Sequence, residues 1–219
     1  MTGLTFLFDV DNTLLDNDRV KADLERRSEG FVGLAHDARF WELYEEVRRE
    51  RDYVDFPETL RRYRLAFPDD PRFPHLAALV LCYPYQEAVY PGALEALAHL
   101  RTLGRLAIVS DGDPVFQPAK IARSGLAAAV EDNVWVYAHK EERIGEVLAR
   151  LPARRHVLVD DKKRILQAVK ARFGDRIVTV HVRQGRYAAA VLASPYTPDL
   201  DLPSIGDLGR LGPDDFRPR

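Results

Sequence analysis

Cysteine is almost missing: Cys82 is the single one in a chain of 219 residues. One thiol can close no internal disulfide and can build no cysteine-based zinc cluster. Histidine offers no metal site either. His36, His75, His99, His139, His156 and His181 show no metal-ligand spacing and read as surface or core side chains, with only His139 beside a motif. No apolar run approaches the ~20 residues that span a bilayer, and the first residues lack the charged-then-apolar layout of a signal peptide. The net charge is −2, too small to steer the chain onto nucleic acid or an anionic membrane. The expectation is a soluble cytoplasmic protein with no nucleic-acid and no membrane partner. The oligomeric state stays open at this point.

What is present is ordinary globular composition, 46% apolar and 30% charged, at a length that suits one large domain or a core with a smaller module. Apolar runs at 4–8, 106–109 and 156–159 lack polar alternation and read as buried parallel strands. The run at 177–182 alternates through Thr179 and His181, which places it nearer a sheet edge, and 134–138 is a weaker fifth strand. Helical patterns separate them. Leu94, Leu97 and Ala98 share a face that Gly104 closes, and Asp113 with Pro114 opens a helix that Gly125 ends. Ile144, Val147, Leu148 and Leu151 repeat at helical spacing, as do Ile165, Leu166, Val169 and Phe173. Such alternation implies an α/β fold, a Rossmann-like, doubly wound parallel sheet with helices on both faces.

Residues from about 18 to 88 break the rhythm. Phe40, Leu43, Tyr44 and Val47 mark one amphipathic helix, Pro57 starts a second with Leu60 and Tyr63, and Pro74 a third. The expected division is an α/β core of residues 1–16 and 90–219 with a small all-helical cap of residues 17–89. Its linkers would be 16–18 and 83–91. The tail from Ser194, rich in Pro, Asp and Gly, is expected to wrap the surface with little regular structure.

Three of the strands end in polar residues: Asp9 and Asp11, then Ser110, Asp111 and Gly112, then Asp160 and Asp161. Lys140 follows the weak strand. In an open parallel sheet these ends share one edge, where ligands bind. Clustered carboxylates repel one another, so a cation belongs among them, and all-oxygen ligation suits Mg²⁺. Ser110 and the backbone amides of Asp111 and Gly112 stand where phosphate oxygens are held. A carboxylate facing a charge-neutralised phosphorus is a competent nucleophile, and a second acid can protonate the leaving group. Asp9 and Asp11, two apart on extended chain, point to the same side.

These residues resemble the motifs of the haloacid dehalogenase (HAD) superfamily. Asp9, Asp11 and Thr13 are similar to its first motif, DxDx[TV], Ser110 to its second, Lys140 to its third, and Asp160 with Asp161 to the paired-acid form of its fourth. The resemblance spans residues 4 to about 182, and the helical block lies where the family inserts helical caps. It implies a Mg²⁺-dependent phosphatase acting on a small-molecule phosphate ester. In that reading Asp9 is the nucleophile that becomes an aspartyl-phosphate, and Asp11 is the acid/base whose carbonyl also binds metal. Ser110, Asp111, Gly112 and Lys140 hold the phosphoryl group. Asp161 ligates the metal directly, and Asp160 supports the metal's waters or Lys140. A phosphomutase of the same superfamily and a non-catalytic binding protein are the alternatives. Asp11 speaks against dehalogenation, because the superfamily's dehalogenases lack it.

The chain departs from the pattern twice. Asn12 stands where many relatives have glycine, and no further acid follows Asp161; Lys162, Lys163 and Arg164 come instead. These three read as a solvated helix face, with contact to a polyanionic substrate as the alternative. The arginines Arg48, Arg49, Arg51, Arg61, Arg62 and Arg64 of the helical block invite the same two readings. Asp113 reads as a plain helix cap.

Overall fold

Phe6 and Phe8 face one way along the first strand and Leu7 faces the other, and the whole molecule is organised about that alternation. The structure, a computed structural model, describes residues 2–186 and 195–218. Among these residues six parallel strands form one sheet: β1 (Thr2–Phe8), β2 (Gly104–Asp111), β3 (Val134–Tyr137), β4 (Ala153–Asp160), β5 (Ile177–Val182) and β6 (Leu200–Leu202). Their order is β3-β2-β1-β4-β5-β6, which puts β1 between β2 and β4. The core is therefore α/β and Rossmann-like.

Leu7, Ala107, Val109 and Leu158 bury against α8 (Lys140–Arg150) and α9 (Lys163–Phe173), whose stripes are Ile144, Val147 and Leu148 and Ile165, Leu166 and Val169. On the opposite face Phe6, Phe8, Ile108 and Val159 join a second cluster with α5 (Ala93–Arg101), α6 (Phe116–Arg123) and the one-turn α7 (Leu126–Ala129). That cluster continues into four successive helices between β1 and α5. They are α1 (Asn17–Val32), α2 (Leu34–Arg51), α3 (Phe56–Ala66) and α4 (Phe73–Leu81). Local chemistry sets their starts: Asp16 accepts from the amide of Arg19 (2.9 Å) and Asp55 from that of Glu58 (2.8 Å). Phe56 of α3 meets Phe116 of α6 edge to face, with ring centroids 5.7 Å apart.

The chain enters and leaves this four-helix segment along two paths that run side by side. The amide of Asp16 donates to the carbonyl of Ala88 (2.8 Å), and that of Tyr90 to the carbonyl of Leu14 (2.9 Å). No helix among the described residues is long and apolar enough to cross a membrane.

Several expectations shift. Gly104 does not end a helix: α5 stops at Arg101 and Gly104 begins β2, which pairs with Leu4 of β1. Asp113 caps the turn that leads into α6, accepting from the amides of Val115 (2.9 Å) and Phe116 (2.6 Å). β5 is buried along its whole length and is not an edge; β3, half-exposed throughout, and β6 hold the edges. β6 comes from the tail expected to lack regular structure. It pairs with β5 through only three residues, too few to show a period in the sequence. The rest of the tail does pack: Ile205, Leu208 and Phe216 are fully buried against the sheet-side core.

Candidate active site

The register of the sheet levels the ends of three strands. Phe8 pairs with Ile108 on one side and Val159 on the other, and the amide of Asp9 still donates to the carbonyl of Val159 (3.0 Å). Asp9 is thus held on the ladder at the point where the strand stops. The chain then turns sharply. Asn12 takes a left-handed conformation (φ 62°), which glycine and asparagine tolerate best, so asparagine is a fitting replacement there. Its Oδ1 accepts from the amides of Asn17 (3.0 Å) and Asp18 (3.2 Å), tying the turn to the start of α1.

Lys140, the first residue of α8, is fully buried. Its Nζ binds Asp9 Oδ1 and lies 2.7 Å from Asp160 Oδ2. Thr13 Oγ1 donates to the other oxygen of Asp9 (3.4 Å). Burial alone would raise the Asp9 carboxyl; the charges of Lys140 and Lys162 and the Lys140 hydrogen bond outweigh it and hold Asp9 below its ordinary value. Burial would likewise lower Lys140, but Asp160, Asp9 and Asp111 keep it well above the usual lysine range. Asp9 is therefore ionised and Lys140 charged at neutral pH.

The acidic pair divides its work. Asp160 Oδ1 accepts from the amide of Lys162 (2.8 Å) while Oδ2 faces Lys140. Asp161 is buried, and neither of its carboxylate oxygens has a hydrogen-bond donor among the described residues. Burial first, then Asp160 and Asp9, push its carboxyl well above the ordinary range. One oxygen each from Asp9, Asp160 and Asp161 lies within 4.8 Å of the others. An orphaned, buried carboxylate beside two others is an incomplete electrostatic group, and a hard divalent cation fits that donor set.

Asp11 stands apart from this trio. Its Oδ1 binds Nζ of Lys120, which also donates to Asn17 Oδ1 (2.9 Å), and its Oδ2 accepts from Gln117 Nε2 (3.2 Å). Gln117 Nε2 also donates to Ser110 Oγ (3.0 Å). Asp11 and Ser110 are thereby joined through one side chain of α6. Asp111 Oδ1 accepts from the amide of Lys140 (2.8 Å). Gly112 is required at its position: with φ 151°, a Cβ there would sit 2.9 Å from that of Gln117. Its amide donates to the carbonyl of Tyr137 (2.9 Å) and is not available to a phosphate, contrary to the sequence expectation.

Three residues of the site escaped the sequence reading. Lys120 and Gln117 lie on α6, and both are buried. A cation and an amide within a helical repeat look like solvated positions, and only the paired Asp11 across the turn hinted at a partner. His181, expected to be a plain histidine, is the penultimate residue of β5 and pairs in register with Asp160. Its Nε2 lies 3.1 Å from the Asp161 carbonyl and its Nδ1 2.9 Å from Asp201 Oδ1. Its place at a strand end was the available signal. Lys162 is likewise no solvated helix face: its charge acts on Asp9, Asp160 and Asp161.

A cavity of about 610 Å³ lies between the four-helix segment and these strand ends, within the usual range for small-molecule sites. Asp11, Asp111 and Asp161 line it from the core, Arg48 and Arg49 from α2 and Tyr53 from the loop that follows; Asp9, Ser110 and Lys140 are buried and do not line it.

The family model of haloacid dehalogenase-like hydrolases matches residues 4–182. A solved structure from Burkholderia xenovorans LB400, assigned as a haloacid dehalogenase-like hydrolase, is 46% identical, with a TM-score of 0.90 over 97% of this chain and 100% of that one. A glyceraldehyde 3-phosphate phosphatase from Pyrococcus abyssi is 36% identical over 128 residues, 53% of this chain. The match spans about half the length of that relative, 52%. A structure from Thermotoga maritima assigned as a β-phosphoglucomutase shares the fold alone, at 19% identity and a TM-score of 0.57, covering 96% of this chain and 97% of that one.

Proposed function

Since the chain belongs to the haloacid dehalogenase-like hydrolases, we propose that it is a Mg²⁺-dependent phosphatase of small phosphorylated metabolites and that Asp9 is its nucleophile. One observation carries the reading: an ionised Asp9 buried against Lys140, beside an Asp161 whose oxygens have no donor. The phosphatase among the relatives supports the same chemistry.

Asp9, Asp161 and the backbone of Asp11 would hold the cation, which when bound neutralises phosphate charge and lets an anionic nucleophile approach. Lys140 holds Asp9 in place and charged. Asp9 attacks phosphorus, the ester P–O bond breaks, and Asp11 gives its proton to the departing alcohol. Asp11 then takes a proton from water, the water oxygen attacks phosphorus, and Asp9 is released with inorganic phosphate. Ser110, fixed by Gln117, and Lys140 steady the phosphoryl oxygens. The segment α1–α4 acts as a cap over the cavity, excluding water during the first step, and its paired crossings at 14–16 and 88–90 are the hinge.

Phosphate release from a panel of phosphate esters, glyceraldehyde 3-phosphate among them, tests the proposal. Turnover should require Mg²⁺ and stop in excess chelator. Full turnover in chelator would reject the metal-assisted mechanism, and a rearranged phosphosugar in place of free phosphate would assign a mutase.

A further inference from the structure

The basic residues of the helical segment are not equivalent. Arg51 pairs with Asp55 and Glu58, Arg61 with Glu58, and Arg62 with Glu50 and Glu58, while Arg64 lies over the ring of Phe73. None of these lines the cavity. Arg48 and Arg49 do, and on the core side Lys162, Lys163, Arg164 and Arg186 face the same space. Several of these six are engaged: Arg48 lies 3.5 Å from Glu45, Arg164 3.0 Å from Glu141 and Arg186 2.9 Å from Asp18. Arg49 bonds only the backbone carbonyl of Glu45 (3.2 Å), and neither Arg49 nor Lys163 belongs to any ion pair among the described residues.

Helix electrostatics explain one of these two and not the other. Arg49 lies in the last turn of α2, where the macrodipole welcomes a cation. Lys163 lies in the first turn of α9, which holds no acidic residue, and there the dipole disfavours a cation. Lys162, just before it, is compensated by Asp9, Asp160 and Asp161. Lys163 forms no ion pair among the described residues, and its placement at the cavity wall points to a negative charge supplied from outside the chain.

We infer that the substrate is a compact phosphate ester with a second anionic group, a carboxylate or another phosphate, which Arg49 of the cap and Lys163 of the core clasp from opposite walls. The inference rests on the phosphatase reading and deepens it. The cavity volume limits the occupant to metabolite size. Asp52 and Glu45 on the same wall disfavour an extended polyanion, so a single additional anionic group fits best.

The test uses three esters on one three-carbon frame: glycerol phosphate, glycerate phosphate and glycerol bisphosphate. The wild type should favour at least one of the two esters bearing a second anionic group over glycerol phosphate in kcat/KM by on the order of tenfold, as expected for a charge-assisted hydrogen bond. Whichever is favoured identifies carboxylate or phosphate as the second group. Arg49→Gln and Lys163→Gln should each collapse that preference. Arg150→Gln, which removes the same charge from an exposed residue outside the cavity, should keep it. Equal turnover of all three esters by the wild type, or a preference that survives both cavity variants, overturns the inference and leaves the phosphatase reading standing. No turnover of any ester with Mg²⁺ overturns both.

Discussion

Asp161 is buried where no donor among the described residues reaches its oxygens, and that conflict has a measurable consequence. Its folded-state carboxyl lies well above the ordinary value, through burial and the neighbouring Asp160 and Asp9. A raised carboxyl makes the folded state the better proton binder. Its contribution to stability is therefore lost as pH rises from the unfolded value, ~4, through the folded one. Above the unfolded value, and without metal, burying Asp161 in this site therefore costs the fold stability. Asp161→Asn should raise the melting temperature in chelator, by roughly 2–4 °C for each kcal/mol of repulsion relieved. Mg²⁺ should stabilise the wild type, by about 2.7 kcal/mol at a concentration about a hundred times Kd, and the same variant should lose that gain. A variant that melts lower in chelator would mean that the carboxylate is satisfied by something other than a cation. At this scale the carboxylates were legible because an apolar strand ending on acids has no structural excuse. Lys120, Gln117 and His181 were not, because their partners are distant in sequence and only the sheet edge brings them together.

At the scale of elements, the buried parallel strands and the main helices of the core were legible, since each carries its own period. The tail was not. β6 is three residues long, and the apolar contacts of Ile205, Leu208 and Phe216 are spread among prolines, aspartates and glycines. What looked like a surface wrap closes the sheet beyond β5 and covers its core. Phe216 is fully buried and meets Phe6 edge to face at 5.0 Å, and its carbonyl accepts from Arg155 Nη1 (2.6 Å). Phe216→Ala should cost about 3–5 kcal/mol in denaturant unfolding, as other buried aromatic truncations do. KM should stay near the wild-type value wherever the variant is folded, because Phe216 lies on the sheet and not at the cavity. A loss under ~1 kcal/mol would show that the tail is not part of the core.

For the molecule as a whole, the four-helix segment and the sheet share one apolar cluster, yet they are joined by only two crossings and enclose the cavity between them. The sequence announced the segment by the absence of strands between 18 and 88, but not the shape it makes with the core, which depends on contacts such as Phe56 with Phe116. In the proposed mechanism this assembly passes a phosphoryl group through Asp9. Intact-mass measurement after mixing protein, Mg²⁺ and an activated phosphate ester tests it most directly. If Asp11 is the general base, Asp11→Asn should keep the nucleophile and slow its release by on the order of 10²–10⁴. That variant should gain one phosphoryl group, mapped by peptide fragmentation to Asp9, while Asp9→Asn should gain none. A phosphoryl group on Asp11 or elsewhere, or turnover by Asp9→Asn near the wild-type rate, would contradict the account.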